Sequence, residues 1–226
     1  VQHPGACLGY TQSDEITLVF NPHSTKKQVW FNARISKMVS QLAAQATIAF
    51  YTEILRTMPS FAKRLPTFDA RVWQVPSMIE AANAVLWREW DATKNSITMA
   101  AFEFYSTSEL KNKNGAEKQE MLFQKGVNWN NYPVHFKRGT YVQRVTTSRP
   151  FTAEELAKLP EKHAARRDPD LQVVRSKIEV LELPKFSSIA NPEQVIFEAK
   201  PPVLKQGTQL ADLEGFMADR LSTDAA

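Results

Sequence analysis

The stretch Tyr10-Thr11-Gln12-Ser13-Asp14-Glu15-Ile16-Thr17-Leu18-Val19-Phe20 decides the fold, because a polar turn leads directly into an apolar, β-branched run. Val, Ile, Thr and Phe suit the pleated surface of a sheet, so the run predicts a strand that is buried on at least one face. Two adjacent carboxylates, those of Asp14 and Glu15, lie in the turn. The stretch therefore predicts a β-hairpin with acidic side chains at the mouth of a buried strand.

These two carboxylates are candidate ligands for a hard cation. Mg²⁺ takes oxygen ligands and usually shares them with substrate phosphates. Successive side chains of a strand point to opposite faces, so Asp14 and Glu15 are not expected to face one site. We predict that Asp14 is the metal ligand, with Glu15 as its support or as a partial ligand. The alternative interpretation is a solvated hairpin turn that carries two charges.

The composition is that of an ordinary soluble globular protein, with 43% hydrophobic and 23% charged residues among 226. No apolar run approaches the roughly 20 residues that span a bilayer, and the N-terminus shows no basic-then-apolar signal pattern. A single cysteine, Cys7, excludes an internal disulfide framework and a cysteine-rich zinc site. We therefore predict a cytoplasmic location. The net charge of +4 and the pI of about 9.1 are compatible with nucleotide or nucleic-acid ligands.

Hydrophobic periodicity predicts alternating helices and strands after the hairpin. Ser77 with Glu80 forms a capping-box pattern, which predicts the start of a long helix. The predicted helices are 30–56, 77–105, 116–125, a short helix after Thr152, and 210–221, and the predicted strands are 68–75, 139–146 and 172–183. This order favours an α+β fold with an antiparallel sheet and helices packed on one face. We place a domain boundary after residue 147, which makes 148–226 a C-terminal extension.

Three basic clusters are candidate phosphate-binding groups, because guanidinium and ammonium groups bind triphosphates and nucleic-acid backbones. The clusters are Arg34 with Lys37, Lys137 with Arg138, and Arg166 with Arg167. For each cluster alone, an ordinary solvated surface is the alternative interpretation. The sequence shows no glycine-rich phosphate loop, no catalytic triad and no histidine pair at metal-ligand spacing.

Six short segments between about residues 9 and 145 occur in the same order as the motifs of a known protein family. They are the hairpin 10–15, the helix start Arg34-Ile35-Ser36-Lys37, the stretch Phe68-Asp69-Ala70-Arg71-Val72, the segment Trp87-Arg88-Glu89-Trp90-Asp91 followed by Asn95, the helix and loop 118–123 and 128–131, and the basic entry Lys137-Arg138-Gly139-Thr140. Together they resemble the tRNA(His) guanylyltransferase family, including its guanylyltransferase-like 3′-5′ polymerases.

The resemblance implies a fold like the palm of 5′-to-3′ polymerases, a two-metal Mg²⁺ site and a homotetramer. It implies a nucleotidyltransferase that uses GTP and ATP to add GMP or other nucleotides to the 5′ end of tRNA, in the 3′-5′ direction. In such phosphoryl transfer, positioning and charge neutralisation supply most of the rate. By position match, Asp14 and Glu15 would be catalytic and Asp14 would hold metal. The candidates for binding nucleotide or the tRNA 5′ end are Ser13, Arg34, Ser36, Lys37, Asn95, Lys118, Asn128, Lys137 and Arg138.

The sequence departs from the family pattern in three places. The family's other metal carboxylate lies in an earlier Asp-Gly-Arg motif, which is not found before Gly9, so either the chain begins inside the family sequence or the two-metal site is incomplete. The segment Thr93-Lys94-Asn95-Ser96 replaces a histidine-containing motif, which leaves both tRNA(His) maturation and 5′-end repair open. Thr11 stands where the family hairpin has glycine.

Two other hypotheses stay open at this point. One is a non-catalytic tRNA-binding relative, or an incomplete fragment of the enzyme. The other is a palm enzyme that cyclises nucleotides and needs no tRNA.

Overall fold

A four-stranded antiparallel sheet carries the hairpin at one edge. The structure, a computed structural model, describes residues 5–21, 30–168 and 170–213. Strand β1 (Ala6–Gln12) pairs with β2 (Glu15–Phe20) and with β3 (Thr140–Pro150), and β3 pairs in turn with β4 (Gln172–Leu181). The sheet order is β2-β1-β3-β4. The predicted antiparallel sheet of an α+β fold is thereby confirmed.

Helices of very different length connect these strands. In the described residues they are α1 (Ile35–Thr57), α2 (Met78–Phe102), α3 (Thr107–Leu110), α4 (Gly115–Gln124), α5 (Val134–Arg138), α6 (Ala153–Lys158) and α7 (Pro192–Glu198). Short 3₁₀ turns cover Trp30–Ala33, Pro59–Phe61, Trp129–Asn131, Ala164–Arg166, Phe186–Ser188 and Leu210–Asp212. Within the described part of the chain, no helix is both long and apolar enough to cross a membrane.

The turn between β1 and β2 is tight. Gln12 is paired with Glu15, so Ser13 and Asp14 alone connect the two strands. Ser13 has a φ of 49°, in the left-handed region that two-residue hairpin turns commonly use. Thr11 Oγ1 donates a hydrogen bond of 2.9 Å to the Glu15 carbonyl, which ties the two strands together beside the turn. The predicted hairpin is confirmed, with Asp14 at its tip.

Helix α2 is the element against which the sheet packs. Its buried face consists largely of small residues, namely Ala81, Ala82, Ala92, Ser96, Ala100 and Ala101. Small side chains allow neighbouring elements to approach the helix closely, and Tyr10 and Tyr141 of the sheet share a core with it. Ser77 Oγ accepts a hydrogen bond from the Glu80 amide at 3.3 Å, which confirms the predicted helix start.

Gly139 lies where α5 passes into β3 and no side chain fits. Its φ is 78°, and a Cβ atom there would lie 2.6 Å from the Thr11 carbonyl and 2.7 Å from the Tyr10 hydroxyl. Glycine adopts this conformation without steric cost. The end of α5, with Lys137 and Arg138, is therefore held directly against the hairpin strand β1.

The C-terminal part of the chain contributes to the same core. The boundary proposed after residue 147 falls inside β3. The core around the sheet includes Leu183, Phe186, Ile189, Val195 and Ile196. The segment 184–202 showed little periodicity, because the seven-residue helix α7 within it is too short to display a period.

The strand predicted at 68–75 is wrong. This segment is extended but has no strand partner among the described residues. It runs along α1: the Phe68 amide donates to Thr47 Oγ1 at 3.0 Å, and the Phe68 and Phe50 rings lie 5.4 Å apart. Its alternating pattern thus comes from packing one side on a helix rather than from a sheet.

The remaining element predictions differ mainly at the ends. The helix predicted at 116–125 is α4 (Gly115–Gln124), and Gly126 beyond it has a φ of 77°. Thr152 and Glu155 form the predicted capping box at the start of α6. The predicted strands at 139–146 and 172–183 are β3 and β4. Of the helix predicted at 210–221, residues 214–221 lie outside the described residues, and Leu210–Asp212 forms a 3₁₀ turn.

Candidate functional site

The hairpin turn places its two carboxylates in different surroundings. Asp14 is exposed at the tip and makes no ion pair within the described residues. Glu15 Oε2 lies 2.6 Å from an Arg88 guanidinium nitrogen and accepts a 2.9 Å hydrogen bond from Gln12 Nε2. The predicted divergence of the two side chains is therefore present, with Asp14 facing solvent and Glu15 facing α2.

Arg88 connects the hairpin to the polar side of α2. The same guanidinium nitrogen lies 2.8 Å from Asp91 Oδ2, and Asn95 Nδ2 donates to that oxygen at 3.1 Å. A continuous chain of contacts thus runs from Glu15 through Arg88 and Asp91 to Asn95. Asn95 and Glu15 were sequence candidates. Arg88 and Asp91 were not predicted from the sequence as site residues, although their i,i+3 spacing indicates contact on a helix.

A buried carboxylate, that of Glu89, follows Arg88 on the buried face of α2. Glu89 is 2% exposed, and its Oε2 accepts a 2.8 Å hydrogen bond from the Tyr141 hydroxyl. Its Oε1 accepts from the Phe186 amide at 2.9 Å, and Arg138 Nη1 lies 3.8 Å away. Burial raises the pKa of Glu89 above its usual value, against the opposing effect of the Arg138 charge.

Lys137 and Arg138, which were predicted to bind nucleotide, are turned inward. Lys137 is 1% exposed, and its Nζ donates a 2.6 Å hydrogen bond to the Asn130 carbonyl while lying 5.5 Å from the centre of the Trp129 ring. Arg138 is also buried, and its carbonyl accepts from the Tyr10 hydroxyl at 2.8 Å. These contacts join α5 to the hairpin strand and to the loop that follows α4.

Two further candidates make short polar contacts nearby. Lys118 Nζ donates to Thr98 Oγ1 of α2 at 3.0 Å, so it lies on the same side of α2 as Asp91 and Asn95. Asn128 caps the 3₁₀ turn Trp129–Asn131 by accepting from the Asn130 amide at 3.0 Å. The side chain of Asn128 therefore has a local structural partner.

The candidates at the start of α1 form a separate group. Arg34 is the N-cap residue, and Ser36 and Lys37 lie in the first helical turn, all three exposed. Lys37 Nζ lies 5.8 Å from the centre of the Phe31 ring. Ser13 lies at the hairpin tip beside Asp14, and the contacts of the described residues do not link it to this group.

In the third basic cluster, Arg166 donates to the carbonyls of Ala157 and Leu159 and so holds the β3–β4 connection together.

The hairpin oxygens fit a cation that takes few ligands from protein. Asp14 offers an open carboxylate, whereas the Glu15 carboxylate is already bound by Arg88. Across residues 5–21, 30–168 and 170–213, no three His, Cys, Asp or Glu side chains gather as a metal-binding group. Mg²⁺ usually binds through one or two carboxylates and completes its shell with phosphate oxygens and water. Asp14 therefore suits an Mg²⁺ ion that is shared with a triphosphate.

An antiparallel sheet with an acidic hairpin turn, covered by helices on one side, defines an α+β domain of the polymerase-palm class. The chain belongs to the tRNA(His) guanylyltransferase family. The sequence model of the Thg1 family, described as tRNAHis guanylyltransferase, matches residues 1–76. A solved bacterial tRNA(His) guanylyltransferase (Thg1)-like protein in complex with ATP is 31% identical, with a TM-score of 0.65 over 85% of this chain and 72% of that chain.

Other relatives agree with this assignment. A bacterial Thg1-like protein in complex with GTP is 32% identical, with a TM-score of 0.52 over 81% of this chain and 65% of that chain. The tRNA(His) guanylyltransferase of Neurospora crassa is 32% identical over 156 residues, which cover 62% of this chain and 52% of the relative. The chain spans about half the length of these curated relatives, with 52% of the Neurospora crassa protein and 50% of a probable tRNA(His) guanylyltransferase of Drosophila melanogaster covered.

Proposed function

We propose that this chain is an Mg²⁺-dependent nucleotidyltransferase that adds GMP or other nucleotides to the 5′ end of tRNA in the 3′-5′ direction. The observation that supports this most directly is the hairpin of this family's fold, which presents the Asp14 carboxylate to solvent while Arg88 fixes its neighbour Glu15. An open carboxylate on a rigid turn suits a metal ligand, because its position is determined by the sheet.

In this proposal, Asp14 would hold Mg²⁺, which when bound neutralises the negative charge of the triphosphate. Glu15 orients the turn through its contacts with Arg88 and Gln12 rather than binding the ion itself. Asn95 and Lys118, on the same side of α2, would contact phosphate or the RNA end. Their part in the reaction is to bind and orient the two reactants, which in phosphoryl transfer supplies much of the rate.

The exposed basic start of α1 would contribute a second phosphate contact through Arg34, Ser36 and Lys37. We propose GTP and ATP as the nucleotides, since relatives are known in complex with each. We also propose a cytoplasmic homotetramer. The apolar side chains of Ile48 in α1 and Leu65 after it are largely exposed and offer a surface for contact between copies.

A second candidate is a tRNA-binding relative without catalysis. It is favoured because the engagement of Glu15 with Arg88 leaves a single open carboxylate in the turn, whereas the two-metal site that the resemblance implies needs a further carboxylate. The two candidates differ in the outcome of one assay. The catalytic chain transfers label from GTP to 5′-monophosphorylated tRNA in the presence of Mg²⁺, and the non-catalytic relative binds the same tRNA without transfer.

The decisive variant is Asp14→Asn, with Asp69→Asn as a matched control. Asp69 is another exposed aspartate, paired with Arg71 at 3.1 Å on the segment after α1. We expect D14N to abolish label transfer and to leave the thermal midpoint unchanged, because an exposed side chain seldom contributes more than about 0.5 kcal/mol to stability. D69N should transfer label like the unmodified chain.

Substantial transfer by D14N would remove Asp14 from its proposed role. A product formed from nucleotide alone, without tRNA, would instead support the nucleotide-cyclising hypothesis.

A further inference from the structure

Two neighbouring tryptophans lie on the solvent side of α2 and take no part in the core. Trp87 and Trp90 are each 58% exposed. They are three residues apart, so their indole rings are neighbours on the helix surface. The buried face of the helix, with Ala92 and Ser96, points away from them. Together, Trp87 and Trp90 form an aromatic patch on the exposed side of α2, which we call the indole patch.

The indole patch is attached to the hairpin site through one side chain. The Arg88 guanidinium carbon lies 4.6 Å from the centre of the Trp87 ring, a cation–π contact. That guanidinium is also bound by Glu15 and Asp91. Its position is fixed from two sides, so the ring it contacts is held in place as well. A pre-oriented ring loses little freedom when a flat ligand stacks on it.

Positive side chains continue along the same side of the helix. Lys94 is exposed one helical turn beyond Trp90. Lys118 reaches this side from α4 through its hydrogen bond to Thr98, one turn beyond Lys94. Aromatic rings followed by cationic groups are what single-stranded RNA requires, because its bases stack on the rings while its phosphates approach the charges.

We propose that the indole patch is a stacking surface for an unpaired nucleobase at the acceptor end of the RNA substrate. This inference rests on the proposed function, since it assigns a position to the RNA end beside the Asp14 hairpin. A base stacked on the free face of Trp87 is separated from Glu15 of the hairpin by the Trp87 ring and the Arg88 side chain. The phosphates that follow the base meet Lys94 and Lys118.

The test compares the dissociation constant of 5′-monophosphorylated tRNA for four proteins: the unmodified chain, W87L/W90L, W87F/W90F and W73L. Leucine keeps apolar surface but removes the aromatic face, whereas phenylalanine keeps a smaller aromatic face. Trp73 is 59% exposed on the segment between α1 and α2 and is the matched control. Each protein is examined by circular dichroism, so that a folding defect is recognised.

We expect W87L/W90L to bind tRNA about 5- to 150-fold more weakly, the usual effect of losing one stacked base. W87F/W90F should recover most of the affinity, and W73L should bind like the unmodified chain. Tryptophan fluorescence should be quenched by tRNA in the unmodified chain and less so in W87L/W90L. If W87L/W90L does not fold, partial weakening and reduced quenching in W87F/W90F provide the same comparison.

Equal affinity of W87L/W90L and the unmodified chain would overturn the stacking surface. A smaller assembly in size-exclusion chromatography, with unchanged tRNA affinity, would also overturn it and would make the patch an interface between copies. The proposed function fails separately, if the unmodified chain binds tRNA but transfers no label. If the unmodified chain does not bind tRNA at all, both proposals are wrong.

Discussion

Arg88 and Glu89 are consecutive residues of α2 with opposite charges and opposite environments. Arg88 lies at the margin of the buried face with 15% of its side chain exposed, and it binds Glu15 and Asp91, whose side chains are 48% and 31% exposed. Glu89 is buried and is bound by Tyr141 and the Phe186 amide. A partly exposed ion pair can exchange its partners for water, whereas a buried charge depends on every partner it has. The comparison shows that burial, rather than charge, separates a side chain available for chemistry from one that maintains the fold.

Mutation of Glu89, on the buried face of α2, should give the largest change in the free energy of unfolding. Glu89→Ala leaves the Tyr141 hydroxyl, the Phe186 amide and the Arg138 guanidinium without this carboxylate. We expect the free energy of unfolding to fall by about 3–5 kcal/mol, as is usual when one partner of a buried polar network is removed. Urea denaturation measures this loss. Glu120→Ala, at an exposed position of α4, should change it by less than about 0.5 kcal/mol.

An unchanged denaturation midpoint in E89A would show that the network around Glu89 contributes nothing to stability. The contrast between the two sides of α2 would then have no energetic basis.

The pH dependence of stability provides a smaller but more specific test. Burial raises the pKa of Glu89 above the ordinary 4.5, so between these two values the folded chain holds a proton that the unfolded chain has lost. The free energy of unfolding contributed by this group must therefore decrease as pH rises above 4.5. Glu89→Gln has no such proton to lose.

We expect the difference in the free energy of unfolding, wild type minus E89Q, to decrease with pH above 4.5. Its slope should be at most about 1.4 kcal/mol per pH unit. Denaturation titrations at several pH values measure this difference. A difference that is constant, or that increases with pH, contradicts the raised pKa.

We expect the smallest effect from substitution of Lys37, which is an exposed cation. Arg138, which is a buried cation, is the residue for comparison. Lys37→Ala should weaken tRNA binding in a salt-dependent way, because loss of one phosphate contact reduces the slope of log K against log salt by about 0.7–0.9. Arg138→Ala should lower stability without that change of slope, since its side chain faces Glu89 rather than solvent. Filter binding at several salt concentrations distinguishes the two. A salt-independent loss in K37A would indicate misfolding instead of a lost contact.

The sequence predicted those parts of the fold that depend on local patterns. The hairpin follows from a polar turn between apolar runs, and the capping residues Ser77 and Thr152 begin helices as predicted. The error at 68–75 arose because packing against α1 produces the same alternation as a strand. Helix α7 was missed because its seven residues span barely two turns.

For Asp14 and Glu15, the residue type and the hairpin pattern were enough to name them as candidates, and their roles stay predictions. The candidate site was not predictable where neighbours decide the role. The sequence predicted that Lys137 and Arg138 are exposed cations beside a strand. In the structure, Gly139 allows the end of their helix to lie against β1. Glu89 gave no signal, because a charged residue between two tryptophans on a helix does not reveal which side will be buried. Tertiary contacts determine that, and they join residues far apart in the sequence.

Two of those contacts have a consequence for how the chain reaches its native state. Gln143 Nε2 donates to the carbonyl of Cys7, 136 residues away, and Glu89 accepts the amide of Phe186, 97 residues away. Strand β1 therefore gains this contact only after residue 143 has been synthesised, and α2 gains its contact with Phe186 later still. Folding with such distant partners is slow. A shortened chain that ends at residue 147 would lack five of the eleven buried residues of the shared core, and we expect it to aggregate rather than to form an independent domain.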